Sequence, residues 1–401
     1  MVSPMTGRLV LLDNSVKHYA WGSPTAIPAI LGQENPAGEP WAELWIGAHP
    51  AGPSMARMRG ERVPLPAILE ERGLGRGVAS RFGELPFLLK LLAAAEPLSI
   101  QCHPDRAQAR AGFEREQAAG VPRDAPHRNY RDRNHKPELL VAESPFSALA
   151  GFRRPDDIAD ALASLGIDEL SAEASELRAR GELRAFFASL MSVDGDRKAR
   201  ILEQAGRGAR EARAPEARRV AELLARHPGD LGALAPVYLN LLELAPGEGL
   251  YLPARQLHAY LEGVGIEVMA SSDNVLRGGL TSKHVDVEEL LAVLDFESGR
   301  PSIVRPERRG GVEFYPTPAE EFELARAEVD ADHPGDLWLG DTVAVALCVE
   351  GALDLVDGAT GQSLALRPGR AALIAAEVER LHLEGTGRLY AAYVPAAGGR
   401  E

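Results

Sequence analysis

Cysteine is nearly missing from this 401-residue chain: Cys102 and Cys348 stand far apart and form no CxxC pair. That scarcity argues against a disulfide framework and against a thiolate-held zinc. Basic residues are also short. With 44 Lys and Arg against 58 Asp and Glu, the formal charge is −14. Nucleic acid and anionic membranes need basic surface and are poor partners for such a chain. A negative total still allows an anionic substrate, because a few lysines and arginines in one cleft reverse the local field. No apolar run approaches the ~20 residues of a membrane helix. The opening MVSPMTGRLV lacks the basic stretch and apolar core of a secretory leader, so a cytoplasmic location is expected. There is no GxxxxGK[ST] loop and no GxGxxG after a strand, which removes the P-loop and Rossmann modes of nucleotide binding. No GxSxG elbow for a serine hydrolase occurs either. What remains is an ordinary globular balance, 45% apolar and 25% charged, on a chain long enough for two or three domains.

Three textures follow one another. Residues 9–152 mix short apolar runs with Gly, Pro and Asn, a pattern of strands and turns with a few short helices. Residues 156–230 are rich in Ala, Leu, Arg and Glu, and Ile158, Leu162 and Leu165 recur at helical spacing. Interhelix turns are expected around Gly195 and Pro215. Strand-like runs return at 238–244, 249–253 and 265–270. They continue through the tail from about 316, with separate strands expected at 343–350, 351–356, 363–367 and 388–393. A β-rich unit is thus interrupted by a helical insert and followed by a second β unit, and the terminal GGRE is expected to fray.

Four stretches concentrate polar residues that a fold does not need. In PLSIQCHP (97–104), Gln101 and His103 share one face of a strand while Cys102 turns to the other, towards the core. Alone, a histidine near an amide is more often a structural pair. In NHKPEL (134–139), Lys136 and Glu138 alternate onto one face. In the stretch from 246 to 260, Gly247, Pro253 and His258 have the spacing of the second metal-binding motif of cupin barrels. Between Glu267 and His284, Asp273, Asn274, Arg277 and Lys283 surround Gly278 and Gly279, which suits an anionic ligand with Asp273 orienting Arg277. Nitrogen and oxygen ligands of this kind suit Zn²⁺, Mn²⁺, Fe²⁺ or Co²⁺. Trp21, Trp41 and Trp45 read as packing residues before a sugar-stacking platform.

Taken in order, the segments YAWG (19–22), ELWIGAHP (43–50), SIQCHP (99–104), NHKPE (134–138) and DNVLRGG (273–279) resemble those of type I mannose-6-phosphate isomerases. The resemblance implies a mainly β fold of two cupin-like (jelly-roll) barrels with an α-helical insert. The catalytic barrel would span 1–152 and 234–315, the insert 153–233 and the second barrel 316–401. It also implies one divalent ion, zinc, held by Gln101, His103, Glu138 and His258. The catalytic arginine falls on Arg277. Substrate contacts fall on Lys90, Ser99, Lys136 and Lys283, with Glu267 lining the same cleft. The implied reaction interconverts mannose 6-phosphate and fructose 6-phosphate in a monomer whose partner is this small sugar phosphate. Two departures stand out. Arg255 and Gln256 occupy positions where the family has glycine and asparagine, which places a charge near the site mouth or alters a turn. In the tail, Ala375 and Arg380 replace the proline and histidine of a metal motif, and His382 is out of phase, so no second metal is expected.

Such an isomerase shifts a proton between C1 and C2 through a cis-enediol. Arg277 suits stabilisation of the enediolate. Lys136 or His135 is preferred as the proton carrier, with Glu267 or metal-bound water as alternatives. Lys90, Lys283 and Ser99 are candidates for the phosphate. The competing class is a sugar-binding regulator that keeps the pocket without turnover; loss of Arg277 or of a ligand would favour it, and neither is lost.

Overall fold

The computed structural model describes residues 7–58 and 60–396; the tail expected to fray lies outside them. Among these residues the chain is mainly β, with two antiparallel eleven-stranded sheets. Alternation decides which way each strand faces. In Phe87–Ala94, Leu89 and Leu91 enter a core shared by both sheets, so Lys90 turns to the opposite face. The same rule turns Glu138 inward beside Leu139 and Val141, and Glu267 inward between Ile266 and Val268. Glu43 follows from Leu44 and Ile46.

The strand His258–Ala270 organises the first sheet. Residues 263–270 pair with Phe87–Ala94, whereas residues 258–262 pair with Phe146–Phe152 through a register shift. Gly263 makes the corner possible. Its φ is +132° and a Cβ there would meet Phe146 Cδ2 at 2.6 Å. One strand therefore presents His258 near its start and Glu267 near its end.

The helical insert runs from Pro155–Ser164 to Pro215–Arg226. Both of these helices open with proline followed by acidic residues, which suits a helix N-terminus. The turns expected at Gly195 and Pro215 are helix starts. Ile158, Phe187, Ile201 and Val220 of the insert pack with Ile100, Cys102, Leu257 and Leu276. These last four flank Gln101, His258 and Arg277 in sequence. Burying them against the insert turns their polar neighbours the other way. Cys102 is a core residue, its thiol pushed up by burial.

The tail differs from expectation in one respect. Residues 344–357 form one 14-residue strand, Ala344–Asp357, where two were expected. The expected break at Gly351 does not occur; a bulge stands just before it. The register shifts between Cys348 and Glu350, and Gly351 has φ +79°, with Thr386 O where a Cβ would sit. This strand pairs throughout with Arg380–Tyr393. The C-terminal sheet also recruits Leu9–Asp13, which pairs with Ala371–Ile374, and behind it Met55–Met58 and Glu61–Pro64. These strands come from the segment assigned by sequence to the first unit. Val10 and Leu12 fill the core between the sheets while Leu9 enters the core of the tail, so the strand is buried on both faces. No helix among the described residues is long and apolar enough to cross a membrane.

Candidate metal centre

Register builds the site. Gln101 is the cross-strand partner of His258 on one side and of Arg277 on the other. Directly opposed residues of antiparallel strands share a face, so His258, Gln101 and Arg277 form a row. At one end of it, His258 joins His103 and Glu138; the three offer ligand atoms that all lie within 4.8 Å of one another, and all three residues are buried.

The imidazoles are oriented from behind. His103 Nδ1 donates to Asn274 O at 2.7 Å and His258 Nδ1 donates to Gln256 O at 3.0 Å. Both Nε2 atoms are thereby left as lone-pair donors aimed at Glu138, at 3.4 Å from Oε1 and Oε2 respectively. His103 Nε2 is buried with no hydrogen-bond partner. Burial and the Lys136 charge push the His103 imidazolium down to about 4, so the ring is neutral at pH 7. Burial works against the Glu138 charge, yet the Lys136 ammonium beside it holds this carboxyl well below its ordinary value. Two neutral imidazole nitrogens and a carboxylate, one nitrogen orphaned, fit a divalent cation. The amide of Gln101 lies on the same face and bonds Ser99 Oγ at 3.2 Å.

Beside this group Lys136 Nζ contacts Glu138 Oε1 at 2.9 Å. Lys90 Nζ lies 2.9 Å from Glu267 Oε2 and 3.4 Å from Glu43 Oε1. Burial opposes the Lys90 charge, but Glu267 and Glu43 outweigh it and raise its pKa. A cleft of about 590 Å³ opens over these groups, lined by Lys90, Ser99, Gln101, Lys136, Arg277 and Lys283 among others. Trp21 and Trp45 also line it and Trp41 does not. On one wall Arg277 and Lys283 sit near Arg131; burial and the neighbouring positive charges lower the pKa of both Arg277 and Lys283. Among the described residues, no carboxylate pairs with either of them. A wall of mutually repelling cations, with Arg277 half-buried and Arg131 and Lys283 exposed, is what a phosphate monoester would relieve.

Several expectations change. Glu267 does not line the cleft; it lies beneath Lys90 and is reached through it. His135 turns away from Lys136 and bonds Glu321 at 2.7 Å in a neighbouring cavity. Asp273 orients His49, 3.4 Å from its Nε2, in place of Arg277. The two glycines after Arg277 serve packing before ligand approach. Gly279, at φ +138°, lets Gly232 Cα come within 2.9 Å of where a Cβ would be, and Gly278 faces Ile100, Leu257 and Leu290. Arg255 brings no charge to the mouth. It takes the left-handed conformation at φ +70°, and its Nε donates to Val293 O at 3.1 Å on the far side of the turn. That conformation is easy for glycine and costs about 1 kcal/mol or more for arginine.

Two site residues escaped sequence reasoning, and a third, Asn274, expected to suit an anionic ligand, has another role. Arg131 sits in no motif. His49 lies within a quoted segment and had no role there, although a histidine between two glycine- or proline-containing turns was a signal. Asn274 is fully buried: besides holding His103, it accepts from the amides of Arg131 and Asp132 and donates to Asn134 O.

The comparisons agree with one another. Residues 9–155 match the model for the catalytic domain of type I phosphomannose isomerase. The mannose-6-phosphate isomerase of Escherichia coli (strain K12) is 41% identical over 95% of this chain and 98% of that protein. The human enzyme of the same name is 31% identical, covering 92% and 94%. A crystal structure of a zinc-bound mannose 6-phosphate isomerase superposes with a TM-score of 0.90 at 39% identity, over 97% of this chain and 100% of that one. A mutant of the phosphomannose isomerase from Salmonella typhimurium gives 0.91 at 38%, with the same coverage. The chain belongs to the type I mannose-6-phosphate isomerase family.

Proposed function

We propose that the chain is a zinc-dependent aldose–ketose isomerase that interconverts mannose 6-phosphate and fructose 6-phosphate. One observation carries the reading: two buried imidazoles and a buried carboxylate converge beneath a cleft whose wall holds unpaired cations. Names of the relatives supply the sugar, and the zinc-bound neighbour supplies the metal.

Gln101, His103, Glu138 and His258 would hold the ion, which when bound polarises and orients the vicinal oxygens of the sugar. The protein's own groups do the rest. Lys136, anchored on Glu138, faces the cleft and carries the proton between C1 and C2. Arg277 meets the negative charge that develops on the cis-enediolate oxygens. Lys283 and Ser99 bind the phosphate, with Arg131 beside them. Lys90 has three N–H donors and spends two on Glu267 and Glu43, leaving one for a sugar hydroxyl; Glu267 acts by positioning it. For the architecture, two cupin-like barrels with a helical insert fit the corner in His258–Ala270 and the long paired strands of the tail. The second barrel would be completed by Leu9–Asp13, so the unit from 316 onward borrows from the N-terminal segment. A cytoplasmic location suits the two buried free thiols.

A coupled assay over a panel of free and phosphorylated aldoses tests the reading. Mannose 6-phosphate should be turned over, chelation should abolish turnover and zinc should restore it. Full activity in chelated, metal-free protein would sink the metal assignment. Preference for an unphosphorylated sugar would sink the phosphate pocket.

A further inference from the structure

Glu321 lies between Val312–Tyr315 and Glu323–Val329, in the C-terminal sheet, yet its side chain leaves that unit. It is 5% exposed, and one oxygen, Oε1, accepts from both His135 Nε2 and Arg106 Nη2, at 2.7 and 2.5 Å. Its second oxygen is buried without a partner. Neither donor is an arbitrary residue. Arg106 opens the helix Arg106–Ala118, three residues after His103, and the Asp105 capping box fixes where that helix starts. His135 directly precedes Lys136 and stands three residues before Glu138. A single carboxylate from the tail therefore grips the two segments that deliver one imidazole, the carboxylate and the cleft lysine of the candidate centre.

We infer that Glu321 is a positioning residue through which the C-terminal unit sets the geometry of the metal and proton-transfer groups. Charge-assisted hydrogen bonds to a desolvated carboxylate are short and directional. Their direction fixes where Arg106 and His135 lie, and the short tethers carry that position to His103, Lys136 and Glu138. The cation wall of Arg131, Arg277 and Lys283 is not attached to Glu321, so the two halves of the cleft should respond separately. This inference rests on the isomerase reading above for its activity measurements only.

Full-length Glu321→Gln keeps the size of the side chain and removes its charge. Zinc affinity, read by competition with a chromophoric chelator, should weaken about tenfold, the scale for losing an outer partner of a ligand. At saturating zinc, kcat on mannose 6-phosphate should fall about tenfold with KM nearly unchanged, because phosphate contacts lie on the other wall. Amide exchange should quicken in residues 103–106 and 134–138. Arg106→Lys, which keeps a charge but not the fork, should reproduce part of each effect and guards against a Glu321 variant that fails to fold. Wild-type zinc affinity and kcat in folded Glu321→Gln, even with a lowered Tm, would overturn the inference and leave Glu321 as a simple strut. Failure of the wild type to isomerise any aldose would overturn the function reading instead, and the zinc-affinity comparison would still decide the role of Glu321.

Discussion

Arg277 presents its guanidinium to the cleft with no carboxylate among the described residues to absorb the charge, while burial and Arg131 press on it. A surface ion pair would contribute ~1 kcal/mol or less and nothing to rate; that alternative falls, because Asp273 is committed to His49. An interaction made mainly in the transition state shows in kcat more than in KM. Arg277→Lys keeps the charge and loses the planar fork, so kcat should drop ~10²-fold with zinc content and fold preserved; stopped assays across substrate concentration separate the terms. A raised KM at near-normal kcat would demote Arg277 to phosphate binding. His103 gives a second test. Its folded pKa of about 4 lies below the ordinary 6.5. Between those values the unfolded chain binds more protons, so stability rises with pH there. Metal-free protein should lose Tm steadily from pH 6.5 down to 4, and His103→Gln should flatten that slope. Such single-residue chemistry was partly legible in sequence. Alternation alone put Gln101 and His103 on one face and Lys136 with Glu138, because a period of two needs no tertiary knowledge. Which carboxylate meets which cation was not legible: Asp273 and Arg277 are four apart in sequence, but the partner of Asp273 comes from residue 49.

Strands and turns translate these residues into a site. The inserted helices were readable from periodicity, and their consequence was not: Ile100, Cys102, Leu257 and Leu276 dock on the insert core and so aim Gln101, His258 and Arg277 outward. The insert reaches the cation wall as well. Asp230, just past the helix Pro215–Arg226, accepts from the amides of Gly232 and Thr281, at 2.7 and 3.2 Å. Gly279 permits that approach. Gly279→Ala would force a Cβ to within 2.9 Å of Gly232 Cα at a φ of +138°, a combination of strain and overpacking that costs about 1–3 kcal/mol. Calorimetry should find a lower Tm. Because residues 281–283 follow directly, KM for the sugar phosphate should rise while zinc affinity stays near wild type. An unchanged KM would mean that the insert does not set the phosphate wall. Arg255 and Gly351 show why turns mislead sequence reading. A residue type hints at backbone geometry without fixing it: arginine takes a glycine-like conformation at 255, and a glycine at 351 sits inside a strand instead of ending it.

At the scale of the molecule, two sheets share one core and exchange structure. The order of textures revealed β, helical insert and β again, since composition and periodicity change at those places. Pairing of Leu9–Asp13 with Ala371–Ile374 could not be read, because strand partners more than 350 residues apart leave no local trace. The exchange bears on how the tail is tested. Deleting it would strip the N-terminal strand of a partner and remove Glu321, so loss of metal on truncation would say little about a second site. A point substitution is cleaner. In the tail, Arg380 pairs with Asp336 at 2.6 Å and His382 Nδ1 bonds the same carboxylate. Arg380 and His382 already satisfy the acidic group that an ion would need, and His382 stands out of phase with any metal motif. Elemental analysis of purified protein should therefore give about one zinc per chain, as the single proposed site requires. His258→Ala should bring the figure towards zero, since solvent cannot replace a ligand preset by the carbonyl of Gln256. His382→Ala should leave it unchanged. A content of two ions per chain, with one lost in His382→Ala, would show that the tail binds metal after all.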